Sequence, residues 1–127
     1  MTTVGGNLGE DYARAWSSQS PDAVASFYAE GGQIVINRGD PSVGRMAIAE
    51  MAASFYAAFP DLIVRCDDFR IAGDHALFAW TLEGHHVETK NFVKVPGWEE
   101  WDLDETSKVK SSTGWFDAAN YEAQIAR

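Results

Sequence analysis

Phe55-Tyr56-Ala57-Ala58-Phe59-Pro60-Asp61-Leu62 closes a helix, stops it and hands the chain to a strand. Ile48, Met51, Ala52, Phe55 and Phe59 recur at helical spacing, the strongest one-faced apolar pattern in the sequence. Pro60 has no N–H to continue that helix. Asp61 follows at a turn, where its short side chain can bond nearby backbone. A helix ending on aromatics and leading into a curved sheet is how a small domain builds a cup. A cup is where small-molecule chemistry happens.

Upstream the pattern is helical. Leu8, Tyr12 and Trp16 recur every four residues and predict a first helix. Ser20-Pro21-Asp22 reads as a cap followed by proline in the first turn, opening a second helix with Val24, Phe27 and Tyr28 inward. Gly31-Gly32 is expected to end it, with a short strand over 33–37 and a turn-rich loop over 38–44. Downstream the period changes to two. A strand over 62–71 turns at Gly73-Asp74, and Ala76, Phe78, Trp80 and Leu82 alternate along the next. Residues 91–103 and 108–116 read as a hairpin, and Asp117 as the cap of a short terminal helix. The expected fold is α+β: a cone with three N-terminal helices packed in a strongly curved antiparallel sheet, then a short C-terminal helix. Residues 1–7 are expected to be a flexible start and 8–127 a single domain.

Composition removes several function classes. The 127 residues are 46% hydrophobic, enough for one core. Nineteen acidic residues stand against ten basic, a net charge of −9, which disfavours nucleic acid and anionic membrane as partners. No apolar run is long enough to span a bilayer, and no charged-then-apolar leader is visible. The single cysteine, Cys66, fits a reducing, cytoplasmic setting and reads as a strand filler. Sixteen aromatics, five of them Trp, exceed what packing needs and point to a pocket or an interface.

The order of these elements resembles the SnoaL-like branch of the nuclear transport factor 2-like superfamily. The likeness runs from about Leu8 onward. It rests on Gly44-Arg45 opening the third helix, Ala58-Phe59-Pro60-Asp61-Leu62 closing it, Trp80-Thr-Leu-Glu-Gly84-His-His86, and Trp115-Phe-Asp-Ala118. That resemblance implies a cone fold and frequent homodimers. Its members include polyketide cyclases, ketosteroid isomerases and epoxide hydrolases. It says little about substrate, because one fold hosts many functions.

Strand parity supplies candidate chemistry. If its strand runs unbroken, His86 shares a face with Trp80, Leu82 and Gly84, where an imidazole could shuttle a proton. The bland reading puts His86 at an exposed strand end. In Gly97-Trp98-Glu99-Glu100-Trp101, parity groups Glu99 with Trp101 and Leu103 on the apolar face, and a bulge at Pro96-Gly97 would substitute Glu100. A carboxyl among aromatics is desolvated and becomes a usable acid or base. The opposing reading makes both glutamates solvated charges on an edge strand. The resemblance implies a catalytic histidine at His86, in Gly84-His85-His86, and a catalytic acid at Glu99 or Glu100. The 12 residues between His86 and Glu99 are fewer than such cyclases usually carry.

Tyr12, Trp16, Phe27, Tyr28, Met51, Phe55, Phe59, Trp80 and Trp101 are the candidate wall residues, each also a fair core residue. His85, on the opposite parity, should face solvent, and neighbouring strand residues make His85, His86 and Glu88 a poor metal set. No phosphate loop, HExxH, CxxC or Gly-x-Ser-x-Gly occurs, so neither cofactor nor metal is expected. Three classes remain: cofactor-free proton transfer on a small hydrophobic carbonyl compound, binding of such a molecule without turnover, or a dimeric interaction module. A homodimer is expected through the outer sheet face carrying Phe92, Trp98 and Trp115.

Overall fold

A computed structural model describes residues 7–127, so residues 1–6 of the expected flexible start at 1–7 lie outside the described residues. Asn7 is already ordered by its role: its side chain accepts from the Glu10 N–H at 2.8 Å and caps α1 (Leu8–Ser17). Ser20 caps α2 (Pro21–Ala25) in the same way, accepting from Ala23. The chain then forms β1 (Tyr28–Ile36) and the short β2 (Ser42–Val43) before α3 (Arg45–Ala58). Four strands follow, β3 (Ile63–Ala72), β4 (His75–His85), β5 (Phe92–Leu103) and β6 (Val109–Phe116), and Asp117 caps α4 (Ala118–Ala126).

The six strands make one curved sheet in the order β2-β1-β6-β5-β4-β3. It is mostly antiparallel. β1 and β6 run parallel, which corrects the expectation of an antiparallel sheet throughout. α2 is also shorter than the sequence suggested. The Ser26 N–H returns to the Asp22 carbonyl and ends the helix, and Tyr28 already pairs with Val109. Phe27 and Tyr28 therefore belong to the entry of a strand, and Gly31-Gly32 lies inside it, where the register with β6 shifts between Tyr28 and Gln33. β5 is a central strand, which removes the reading of Glu99 and Glu100 as edge charges.

Packing follows from strand parity. Along β5, Val93, Val95, Glu99, Trp101 and Leu103 are buried, while Phe92, Lys94, Trp98, Glu100 and Asp102 are exposed. β4 and β5 stay in continuous register from His75 opposite Asp102 to His85 opposite Phe92. Pro96-Gly97 therefore introduces no bulge between these two strands, and the alternation survives it. The inner face packs under α1, α3 and α4. Tyr12, Tyr28, Phe59, Phe78 and Trp101 are its largest fully buried side chains. None of the described helices is long and apolar enough to cross a membrane.

Candidate functional site

The inner face is not completely filled. A half-open apolar cavity lies between the sheet and three helices, with interior room of about 50 Å3. α1 contributes Trp16, α3 contributes Met51 and Phe55, and α4 contributes Tyr121. From the sheet come Phe78, Trp80 and Leu82 of β4 and Glu99 of β5, with Gly114 and Phe116 of β6.

Glu99 is the only Asp, Glu, Lys, Arg or His among the lining residues. Register places it directly opposite Phe78 and Gly114, both on the inner face. A Cβ on Gly114 would stand 3.2 Å from Glu99 Cγ, so the missing side chain is what lets the carboxylate stem lie against β6. Oε1 accepts two hydrogen bonds, from Trp101 Nε1–H at 2.9 Å and from the Ser112 hydroxyl at 2.9 Å. Oε2 has no hydrogen-bond partner among the described residues, yet it is not a sealed, unpaired atom, so its free surface opens on the cavity. One oxygen is fixed and the other is available.

Burial sets the electrostatics. Glu99 is 7% exposed, and desolvation raises its pKa above the ordinary carboxyl value, against the opposing pull of the Trp101 and Ser112 hydrogen bonds. Nearby, the hydroxyls of Tyr12 and Tyr28 lie 2.7 Å apart in a hydrogen bond of their own. Burial pushes both phenols well up, and the Glu99 charge adds to the shift. Glu99 with Ser112 and Tyr12 with Tyr28 thus form two buried polar pairs within an aromatic core.

The other expected site residues are dispersed. Trp16, Met51, Phe55 and Trp80 line the cavity. Tyr12, Tyr28, Phe59 and Trp101 are fully buried, and Phe27 packs against the core beside Tyr12. Glu100 points outward, 3.3 Å from His75 Nε2. β4 ends at His85, so the parity argument for His86 loses its strand. His86 Nδ1 accepts from the backbone N–H groups of Glu88 and Thr89 at 3.3 and 3.4 Å and organises the turn into β5. Its ring rests edge-on against Phe59, outside the cavity. It lies eight positions past Phe78, the residue opposite Glu99, on the order of 25 Å along the sheet. The structure does not bring His86 and Glu99 together. His85 faces out and pairs its Nδ1 with Asp61 Oδ2 at 2.6 Å, while its own backbone N–H donates to Asp61 Oδ1. The hydrogen bonds from His85 hold the Asp61 carboxyl below its ordinary pKa.

Sequence reasoning missed Ser112 and Tyr121. Ser112 sits in the polar run Lys110-Ser-Ser-Thr113, where inward parity was the only available signal. No cluster of three or more His, Cys, Asp or Glu that could hold a metal occurs among the described residues.

Comparison with known proteins agrees with this architecture. A Catenulispora acidiphila protein with a ketosteroid isomerase-like fold, solved in complex with trimethylamine, superposes with a TM-score of 0.86 at 22% identity, over 98% of this chain and 94% of that one. A Jannaschia protein described by its likeness to SnoaL-like polyketide cyclases gives 0.80 at 17% identity, over 91% and 85%. SalBIII, an epoxide hydrolase/cyclase-like enzyme of pyran ring formation in salinomycin, gives 0.75 at 18%, over 86% and 87%. These likenesses establish the fold. No curated protein sequence matches the chain. The model of the SnoaL-like domain matches residues 10–111, and the chain belongs to that family.

Proposed function

We propose that this protein performs cofactor-free proton transfer on a small, hydrophobic carbonyl compound, with Glu99 as the group that takes and returns the proton. One observation carries the reading: a buried carboxyl with one oxygen held by Trp101 and Ser112 and the other turned to an apolar cavity. An ionised carboxylate there is poorly solvated and therefore a stronger base than one in water. Its Oε2 removes a proton from the carbon next to the carbonyl, the electron pair moves onto the carbonyl oxygen as an enolate, and the same carboxyl returns the proton to carbon. Among the described residues no histidine reaches the cavity, so one carboxyl serves both steps. The isomerase- and cyclase-like names of the structural neighbours are compatible with this chemistry.

The test uses β-tetralone, a bicyclic ketone with acidic C–H bonds beside the carbonyl. Wild-type protein in deuterium oxide should accelerate exchange of those protons, followed by NMR, and Glu99→Gln should reduce the rate to background. Exchange unaffected by Glu99→Gln would overturn the assignment. Binding of β-tetralone without any exchange would favour the alternative of a pocket that holds its ligand without turnover.

The outer face supports a second part of this reading, that two copies pair through it. Phe92 and Trp98 are nearly half exposed, and Trp98 stands across the ladder from Trp115. The same face carries both signs of charge, in Arg65 with Glu83 and Arg70 with Asp68, as a self-complementary contact requires. Light scattering should give twice the 14.0 kDa chain mass at micromolar concentration, and Trp98→Glu should return it to 14.0 kDa.

A further inference from the structure

The walls of the cavity are not equally held. α1 and α3 face it with Trp16, Met51 and Phe55, and both are anchored by fully enclosed residues, Tyr12 on α1 and Ile48 and Ala52 on α3. α4 faces it with Tyr121 alone and contains no buried residue, so solvent lies directly behind it. Tyr121 rests against Phe59 and Phe116, with ring centres 6.0 and 5.3 Å away, and Ile125 is only partly covered. The rest of the attachment is polar. β6 pairs with β5 from Gly97 to Leu103, which leaves residues 92–96 of β5 without a neighbouring strand on that side. Pro96 has no N–H to expose there. Lys94 is served by Gln124: its N–H donates to Gln124 Oε1 at 2.7 Å, and its carbonyl accepts from Gln124 Nε2 at 3.0 Å. One glutamine side chain takes the place of a strand residue. Asn91 Nδ2 adds two bonds at the end of the helix, donating to the Ile125 and Arg127 carbonyls, each at 2.7 Å.

The interior room of about 50 Å3 is the space of a few waters, so a bicyclic ketone enters only if a wall yields. We propose that α4 is the door of the cavity, swinging on Asp117 and latched by Gln124 on Lys94 and by Asn91 on the last turn. Opening takes no fully buried side chain of α4 into water. The latch bonds are exposed or half-buried, so water replaces their partners as the helix leaves. An element so attached opens at the low end of the stability range. The helix can move as a body because its cap travels with it: Asp117 accepts from the Asn120 N–H through its side chain and from the Tyr121 N–H through its carbonyl. Moving α1 or α3 would instead pull Tyr12, Ile48 or Ala52 out of the core. The door rests on the reading that the cavity takes a small hydrophobic molecule, and not on Glu99 as its base.

Lys94 reports the door directly. Alternate N–H groups of an antiparallel strand point to opposite neighbours, so those of Val93 and Val95 face β4 while that of Lys94 depends on α4. In amide hydrogen exchange followed by NMR, Lys94 should exchange about tenfold faster than Val93 and Val95, or more. Ligand entry is the second measurement, by stopped-flow tryptophan fluorescence, since Trp16 and Trp80 line the cavity. Gln124 does not line it, and Gln124→Ala removes two latch bonds. The variant should bind and release β-tetralone about tenfold faster, with affinity changed less than about twofold. Tetralin, the same bicycle without the oxygen, should gain equally, because access does not depend on the carbonyl. A Lys94 amide as slow as its neighbours, entry rates unchanged in Gln124→Ala, or binding of neither molecule would overturn the proposal. If Gln124→Ala proves unstable, Lys94 exchange in the wild type decides it. The two readings fail separately. Glu99→Gln should abolish ketone exchange and leave entry rates as they are. Faster entry in Gln124→Ala, with no ketone exchange in the wild type, keeps the door and removes Glu99 from catalysis.

Discussion

The two faces of the sheet treat the same functional groups in opposite ways, and Glu99 and Glu100 show it side by side. Glu99 is enclosed on the inner face, with one oxygen clamped and its proton held more tightly than in water. Glu100 is exposed on the outer face, where carboxylates meet basic side chains: Arg65 with Glu83, Arg70 with Asp68, His85 with Asp61, and His75 with both Glu100 and Asp102. Outside, charge is neutralised by partners and water. Inside, the only counterweight to desolvation is two neutral donors. A carboxyl that is costly to ionise is also one whose proton can be put to use.

If the inner wall supplies stability as well as the site, its central residue should show the largest effect. Trp101 is fully buried, packs on Tyr12 and Phe78 with ring centres 5.1 and 5.4 Å away, and donates to Glu99. Trp101→Ala should lower unfolding free energy by about 3–5 kcal/mol in urea melts. A loss of less than about 1 kcal/mol, the scale of a surface ion pair, would erase the contrast between the faces.

Glu99→Gln probes the same wall through its protonation. Because the folded pKa is raised, stability from keeping the proton is complete below the ordinary value of 4.5 and is lost as pH rises through the raised value. Glutamine has no charge to develop. The variant should match the wild type in acid and gain on it with rising pH, by up to about 1.4 kcal/mol per pH unit within that window. Urea melts across a pH series measure it. A difference independent of pH would mean that Glu99 ionises in the fold as easily as in the unfolded chain.

These residues also show what the sequence could and could not reveal. Alternation along Trp98-Glu-Glu-Trp101 was enough to put Glu99 inward, because β5 is long, central and unbroken in its register with β4. The same argument lost His86, because it assumed a strand that in fact stops one residue earlier, and stopping points depend on the turn that follows rather than on alternation. Tyr28 was read into a helix because Val24, Phe27 and Tyr28 keep helical spacing. Pairing with Val109, 81 residues away in sequence, decided otherwise. Ser112 as the clamp on Glu99 is a property of a pair of strands, and the residue does not announce it alone.

On the outer face the effects should be smaller. Arg65 Nη2 meets Glu83 Oε1 at 2.7 Å, with the arginine side chain 60% exposed and the glutamate 12%. Glu83→Gln should cost roughly 0.2–1 kcal/mol at low ionic strength, shrinking further in molar salt, since an exposed partner is screened. A salt-independent loss above that range would mean that the pair belongs to the core.

The smallest effect is expected at Glu100, one residue from the most consequential carboxyl in the chain. His75 has its pKa raised chiefly by the Asp102 hydrogen bond at 3.1 Å, with Glu100 adding a lesser pull from 3.3 Å. A histidine so raised contributes stability below its ordinary value of 6.5 and loses it as pH climbs through the raised one, the direction in which Glu99 also loses its own. Glu100→Gln removes the weaker of two carboxylates. It should lower the His75 pKa slightly in an NMR titration of the ring proton, leave it above the ordinary value because Asp102 remains, and leave the urea midpoint at neutral pH unchanged. The same substitution one residue earlier is expected to remove ketone exchange and tilt the whole pH profile. Should Glu100→Gln reproduce either of those results, the division of labour between the two faces would be wrong, because no shift in backbone register separates the two glutamates, only the side of the sheet on which each stands.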